Sequence, residues 1–188
     1  MIRFSYILSL HNRSCFITSF FSCEILFSGQ HESVKSGQLI IQDKASCFPS
    51  QVLADVWMGG DVVDATAAPG NKTSHMAAEI SQKQNYKNQK IFAFDKDFSR
   101  AKLLANRMGN ADANRLVHTQ MMDFLKVDAN HSDYKNVHSI LCDPSCSGTV
   151  DRFLNIFLAS YKCSQKALLF IPPQAVVYYA IWIELHRD

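Results

Sequence analysis

From Gly37 onward, apolar positions along the chain fall into short runs that alternate with helically spaced ones. Leu39-Ile40-Ile41 is a brief apolar run, and Pro49 opens a predicted helix through Trp57 that Gly59-Gly60 breaks. Asp61-Val62-Val63-Asp64-Ala65-Thr66 has the β-branched, apolar centre of a buried strand. Ala67-Ala68-Pro69-Gly70-Asn71 forms a turn, and a helix follows with Thr73, His75, Met76, Ala77, Ala78 and Ile80 along it. Polar residues from Gln82 to Gln89 make a loop before a second strand, Lys90 to Asp95. Asp97 or Ser99 can cap the next helix, whose Ala101, Leu104, Ala105 and Met108 recur at helical spacing. Leu116 to Thr119 is a third strand, closed by Asp123, and Val137 to Pro144 a fourth. Asp151 to Lys166 reads as a helix, and the apolar stretches Ala167–Phe170 and Ala175–Ile183 are split by Pro172-Pro173.

Strand and helix alternate, which predicts an α/β fold: a mostly parallel sheet with helices on both faces. The 188 residues suffice for one domain with a sizeable core and are too few for two. An apolar content of 47% excludes wholesale disorder. The formal charge of +2 is too small for a protein that grips nucleic acid through phosphates alone, so any such grip is local or is completed by something outside this chain. The six cysteines, Cys15, Cys23, Cys47, Cys142, Cys146 and Cys163, show no Cys-x-x-Cys spacing, and no His pair completes a zinc pattern. No metal is expected, and thiols in a reducing compartment are the simpler reading than disulfides. Residues 1–36 are atypical for the fold. Their apolar clusters, such as Phe16-Ile17-Thr18-Ser19-Phe20-Phe21, are interrupted by His11, Asn12, Arg13 and Glu24. None reaches the roughly 18–20 apolar residues that span a bilayer, and no small-residue cleavage site follows. No membrane partner is expected.

Two segments carry candidate chemistry. In Asp64-Ala65-Thr66-Ala67-Ala68-Pro69-Gly70-Asn71-Lys72-Thr73, a strand ending in small residues lets a ligand approach the backbone, at the carboxyl edge where open α/β sheets bind ligands. An ordinary strand-to-helix turn would look much the same. Asp95, an acid ending the second strand about two dozen residues later, can accept both hydroxyls of a ribose. Nicotinamide cofactors use this geometry too, but the Gly-x-Gly-x-x-Gly turn is missing, as is a Gly-x-x-x-x-Gly-Lys-Ser/Thr loop. A nucleoside without a pyrophosphate fits better, and S-adenosylmethionine (SAM) is one. Asp123 could meet an adenine amino group, although a lone loop Asp is more often structural. The second segment is Cys142-Asp143-Pro144-Ser145-Cys146-Ser147-Gly148-Thr149, with an acid at a strand end, a rigid proline and a thiol on the next turn. Cys142, inside the strand, suits the buried structural role usual for a free thiol. Cys146, in a Ser/Gly-rich loop, suits a nucleophile or proton donor.

Gln42-Asp43-Lys44-Ala45-Ser46, the Asp64–Thr73 run, Phe94-Asp95-Lys96-Asp97, Asp123-Phe124-Leu125 and Asp143-Pro144-Ser145-Cys146-Ser147-Gly148 occur in that order. Together they resemble the motifs of the NOL1/NOP2/Sun (RsmB-like) RNA cytosine-5 methyltransferases, and most of all the NSUN5/Rcm1 branch, which acts on large-subunit ribosomal RNA. The resemblance covers about residues 37 to 180. It implies a Rossmann-like class I SAM-dependent methyltransferase domain over 37–188, with RNA as partner and a nuclear or nucleolar location. It implies that Thr66, Ala67, Ala68, Pro69, Gly70, Asn71 and Lys72 wrap the cofactor, that Asp95 binds its ribose, and that Arg100 and Asp123 lie beside it. Asp143 would face both cofactor and target base. In this family one cysteine adds to C6 of cytosine and a second, in the Pro-Ser-Cys motif, helps release the product; Cys146 matches the second. The first follows a Val-Val-Tyr-Ser-Thr-Cys-Ser pattern, and here Val176-Val177-Tyr178 leads to Ile181 at that position. Ile181 cannot add to a base. The last strands of the fold are expected to be incomplete, as in a C-terminally truncated form. The competing expectation is therefore a non-catalytic module that binds SAM or RNA.

Overall fold

In the computed structural model, structure is described for residues 5–9, 32–36, 39–143, 162, 165–167 and 176–179. Strand β1 (Ser5–Ser9) pairs antiparallel with β2 (Leu39–Asp43), Ser5 opposite Asp43 and Ser9 opposite Leu39, with a single helical turn, α1 (Glu32–Lys35), between them in sequence. Helix α2 (Lys44–Val56) leaves β2 directly. It starts earlier than the sequence pattern predicts, and Pro49 lies inside it. The reason is the buried stripe: Cys47, Ser50, Leu53 and Ala54 recur at three- and four-residue spacing, so the helix needs the turn before the proline to bury Cys47.

The remaining elements are β3 (Asp61–Asp64), α3 (Asn71–Ser81), β4 (Ile91–Asp95), α4 (Phe98–Asn110), β5 (Val117–Met121), β6 (Val137–Cys142) and β7 (Val176–Tyr179), with strand and helix alternating from β3 to β5 as expected. Strands β3 to β7 form one parallel sheet in the order β5-β4-β3-β6-β7. This is the Rossmann-like α/β architecture expected from the sequence. The third strand runs to Met121, two residues beyond the expected Thr119. The chain turns outward from β3 to β4 and β5 on one side, then crosses to β6 on the other. The carboxyl ends of β3, β4 and β6 therefore border the crevice that such an order opens.

The sheet separates two cores because neighbouring side chains point to opposite faces. Val62, Ile91, Ala93 and Leu141 face one way and pack with Leu53 and Trp57 of the α2 segment, Met76 and Ile80 of α3, and Leu104 and Met108 of α4. Val63, Phe92, Phe94, Ile140 and Cys142 face the other way and pack with Phe124, Val127, Tyr134 and Ala167. Phe92 and Tyr134 meet edge to face, 5.0 Å between ring centroids, and single 3-10 turns at Phe124–Lys126 and Ser132–Tyr134 close this second face. The predicted helix over 151–166 lies outside the described residues, apart from helical positions at 162 and 165–166.

The β3–β6 pairing carries one irregularity at its amino end. Asp61 lies opposite Val137 but Val62 opposite Ser139, so His138 is an extra residue. Its ring lies against Gly60, whose φ is +85°. Among the described residues, no helix is long and apolar enough to cross a membrane.

Candidate cofactor and base site

The carboxyl edge of the sheet is built from small residues for a geometric reason. After β3 the chain must turn sharply and start α3 within six residues, and Ala65, Ala67 and Ala68 are all buried in that turn. Gly70 caps α3 at φ 105°, a left-handed conformation that costs a side chain strain. A Cβ there would lie 3.0 Å from Leu104 and 3.1 Å from Met108, so glycine also lets α3 and α4 pack closely. The Ala68–Pro69 peptide is cis. The loop is sewn to its neighbours by backbone hydrogen bonds. Ala65 N–H donates to Leu141 O on β6, and Ala67 N–H to Phe94 O on β4, both at 2.9 Å.

Two cation–carboxylate pairs mark the edge. Lys72, on the first turn of α3, places Nζ 2.6 Å from Oδ2 of Asp143, just past β6. Arg100, on α4, donates from Nη2 to Ala68 O at 2.6 Å and lies 3.4 Å from Oδ2 of Asp95. Asp95 is buried at the end of β4, and its Oδ1 accepts the Asp97 amide at 2.9 Å. Each Asp95 oxygen keeps a lone pair for a further donor. Arg107 Nη1 donates to Asn71 Oδ1 at 2.6 Å, which ties α4 to the start of α3 a second time. Asp123 lies at the end of β5, partly buried, and its Oδ1 accepts Leu125 N–H at 3.0 Å, capping the 3-10 turn. Met122 N–H donates to Asp95 O at 3.0 Å, so the ends of β4 and β5 are joined at that point.

Thr66, Ala67, Ala68, Pro69, Gly70, Asn71, Lys72, Asp95, Arg100 and Asp143 are thus gathered along one sheet edge, with Asp123 at its β5 end. Cys146 and Ile181 lie outside the described residues. Asp64 opens the Asp64–Thr73 run in the sequence, which assigns its side chain no role. The carboxylate is enclosed: Thr73 Oγ1 donates to Oδ2 at 2.7 Å and Thr66 N–H to Oδ1 at 3.3 Å. Burial pushes its pKa up to about 6 against these two hydrogen bonds; the Asp143 charge adds to the rise and Lys72 opposes it. His75, buried in α3, is pulled down to about 4 by the loss of solvent.

The arrangement offers carboxylates for hydroxyl and ammonium donors, an ammonium beside one of them, and a backbone stripped of bulky side chains. These groups suit a nucleoside carrying a charged amino acid tail. Among the described residues, no three His, Cys, Asp or Glu side chains are grouped to hold a metal ion.

Residues 53–155, more than half of the chain, match the family model of the 16S rRNA methyltransferase RsmB/F. The 25S rRNA (cytosine-C(5))-methyltransferase rcm1 of Schizosaccharomyces pombe is 46% identical over 116 residues, which cover 61% of this chain and 24% of that protein. The 28S rRNA (cytosine-C(5))-methyltransferase of Mus musculus is 44% identical over 121 residues, covering 64% of this chain and 24% of its own length. This chain therefore spans about a quarter of the length of these relatives. The crystal structure of NSun6 from Pyrococcus horikoshii with SFG superposes with a TM-score of 0.61 at 18% identity, over 80% of this chain and 40% of that one, and shares the fold. On the family match and these relatives, the chain belongs to the RsmB/F family of ribosomal RNA methyltransferases.

Proposed function

We propose that this chain forms the SAM-binding half of an RNA cytosine-C5 methyltransferase that acts on large-subunit ribosomal RNA. The observation that carries the reading is the pair of ion contacts on one sheet edge, Arg100 with Asp95 and Lys72 with Asp143, flanking a loop of small residues. In this reading Asp95 accepts the ribose hydroxyls, and Arg100 holds that carboxylate in place while bracing the loop at Ala68. Thr66 to Lys72 lie along the ribose and the methionine tail, and Asp123 borders the adenine. Bound there, SAM supplies an electrophilic methyl group. Asp143, paired with Lys72, would meet the incoming base, and Cys146, three residues later in sequence, would be the product-release thiol. The relatives act on 25S and 28S rRNA by name, which supports RNA as the substrate and a nucleolar site of work.

Titration of SAM into the purified chain by calorimetry tests this directly. Saturable binding is expected, and Asp95→Ala should weaken it at least tenfold, about 1.4 kcal/mol, because a charged acceptor shared by two hydroxyls is lost. Equal affinity in variant and parent would remove Asp95 from the site. The second reading, a module that binds SAM or RNA without turnover, is favoured by Ile181 at the position of the family's nucleophile. Transfer of labelled methyl from SAM to rRNA separates the two. Transfer by the parent chain, with Cys146→Ala reducing repeated turnover, supports the enzyme, and binding without transfer supports the module.

A further inference from the structure

Asp64 is a carboxylate that no ligand-binding role requires, yet it is 2% exposed and accepts two hydrogen bonds. Burying a charge is costly unless its partners are fixed, so its surroundings show what it holds. A hydroxyl has one proton to give. Thr73 Oγ1 is 2.7 Å from Asp64 Oδ2 and 3.3 Å from Ala67 O, so the shorter contact to the carboxylate takes it. The other oxygen, Oδ1, takes Thr66 N–H. Thr66 then uses its own hydroxyl as an acceptor: Asp143 N–H donates to Thr66 Oγ1 at 3.2 Å. The Asp143 carboxylate returns to Lys72 at 2.6 Å, and Lys72 is covalently next to Thr73. The contacts close into a ring that begins and ends on the first turn of α3 and passes through the ends of β3 and β6.

We propose that Asp64 is a positioning residue that locks the loop after β3 to Asp143 at the end of β6, so that the Thr66–Lys72 cradle and Asp143 are set as one unit. The role rests on the reading of this edge as the cofactor and base site. Asp64 acts through Thr66 and Thr73 and touches neither ligand. The Thr66–Asp143 contact joins neighbouring strands across 77 residues of sequence, and Asp64 is the buried group whose two oxygens hold Thr66 and Thr73 at either end of the β3–α3 turn, from which Thr66 Oγ1 and Lys72 reach Asp143.

The test reads the ring first without ligand. Amide hydrogen exchange at Thr66 and Asp143 is measured in the parent, Asp64→Asn, Thr73→Val and Thr73→Ser. An Asn offers one acceptor oxygen for two donors, so Asp64→Asn should cut protection of the Asp143 amide at least tenfold, although the two residues share no direct hydrogen bond. Thr73→Val should do the same, and Thr73→Ser should restore it. Amides of β4 in the same samples should hold their protection, which separates a loosened ring from a general loss of fold. Asp143 protection equal to the parent's in both Asp64→Asn and Thr73→Val would overturn the proposal. SAM titration of the same proteins is the second readout, with at least tenfold weaker binding expected for Asp64→Asn and Thr73→Val and recovery in Thr73→Ser. If Thr73→Val binds like the parent while Asp64→Asn does not, Asp64 acts on the ligand itself and the ring is rejected. A parent that binds no SAM refutes the cofactor reading, and the exchange data then still decide whether the ring exists.

Discussion

Single residues at the sheet edge are constrained from two directions at once. Gly70 is held at φ 105° to cap α3, and the space beside it is filled by Leu104 and Met108 of α4. Gly70→Ala must bear a left-handed backbone and displace two core side chains. A loss of roughly 1–3 kcal/mol is expected, read as a lower urea midpoint at unchanged slope. An unchanged midpoint would mean that the loop relaxes freely, which its backbone bonds to Leu141 and Phe94 argue against. Much of this edge was legible in the sequence, because Asp95, Lys72 and Asp143 sit at strand ends or helix starts whose position in an open α/β sheet is fixed by topology. Asp64 was not legible as a partner. Its neighbours Thr66 and Thr73 become neighbours only once the chain has turned, and no local pattern distinguishes a buried strand acid from one that closes a strand.

Among the elements, α4 shows how the helical pattern divides buried from exposed positions. Leu104 is fully buried against the sheet and α3, while Leu103, one position earlier, is 43% exposed. Leu104→Ala should cost about 2–5 kcal/mol, and Leu103→Ala should stay within about 0.5 kcal/mol, both measured by chemical denaturation. Similar losses at the two sites would show that α4 is rotated from the orientation described. The strands from β3 to β6 were legible as short apolar runs between turn residues, and α4 because its apolar positions recur at helical spacing. The order β5-β4-β3-β6-β7 and the pairing of β1 with β2 were not. A five-residue strand such as Ser5–Ser9 has no periodicity that singles it out from the other apolar clusters before Gly37. Its partner lies thirty residues on, so only tertiary structure identifies it. The start of α2 was misplaced because a proline signals a helix opening more strongly than a buried cysteine two residues earlier.

For the molecule as a whole, two buried groups make opposite demands on acid stability. Asp64 is pushed up to about 6 from 3.8, so between those values the folded state keeps a proton that the unfolded state has lost. Rising pH through that window therefore reduces stability. His75 is pulled down to about 4 from 6.5, so there the unfolded state holds the extra proton and falling pH reduces stability. Each effect is about 3 kcal/mol at full development, from the ordinary worth of one pKa unit. In the parent the two largely cancel between about pH 4 and 6. Asp61 and Glu79, also raised by burial, tilt the balance the same way as Asp64. Thermal melts across that range should be shallow for the parent. Asp64→Asn, which removes the largest demand opposing the histidine, should gain stability as pH rises, and His75→Gln should lose it. Parallel profiles for all three proteins would mean that neither group changes its ionisation on folding.

The extra residue at His138 bears on how the sequence can drift. From Val62 and Ser139 onward the β3–β6 register is regular up to Asp64 and Leu141, so the length mismatch is absorbed at the end of the sheet away from the ligand. Deletions there should be forgiven, since losing His138 leaves every pairing beyond it in phase. Gly60 is held to glycine twice over, because a Cβ there would lie 2.5 Å from the His138 ring and its φ of +85° strains any side chain, so losing the histidine alone leaves the backbone restriction in place. In related chains, the length of chain before Ser139 should therefore vary more freely than the run from Ser139 to Asp143 that carries the ligand-side pairing.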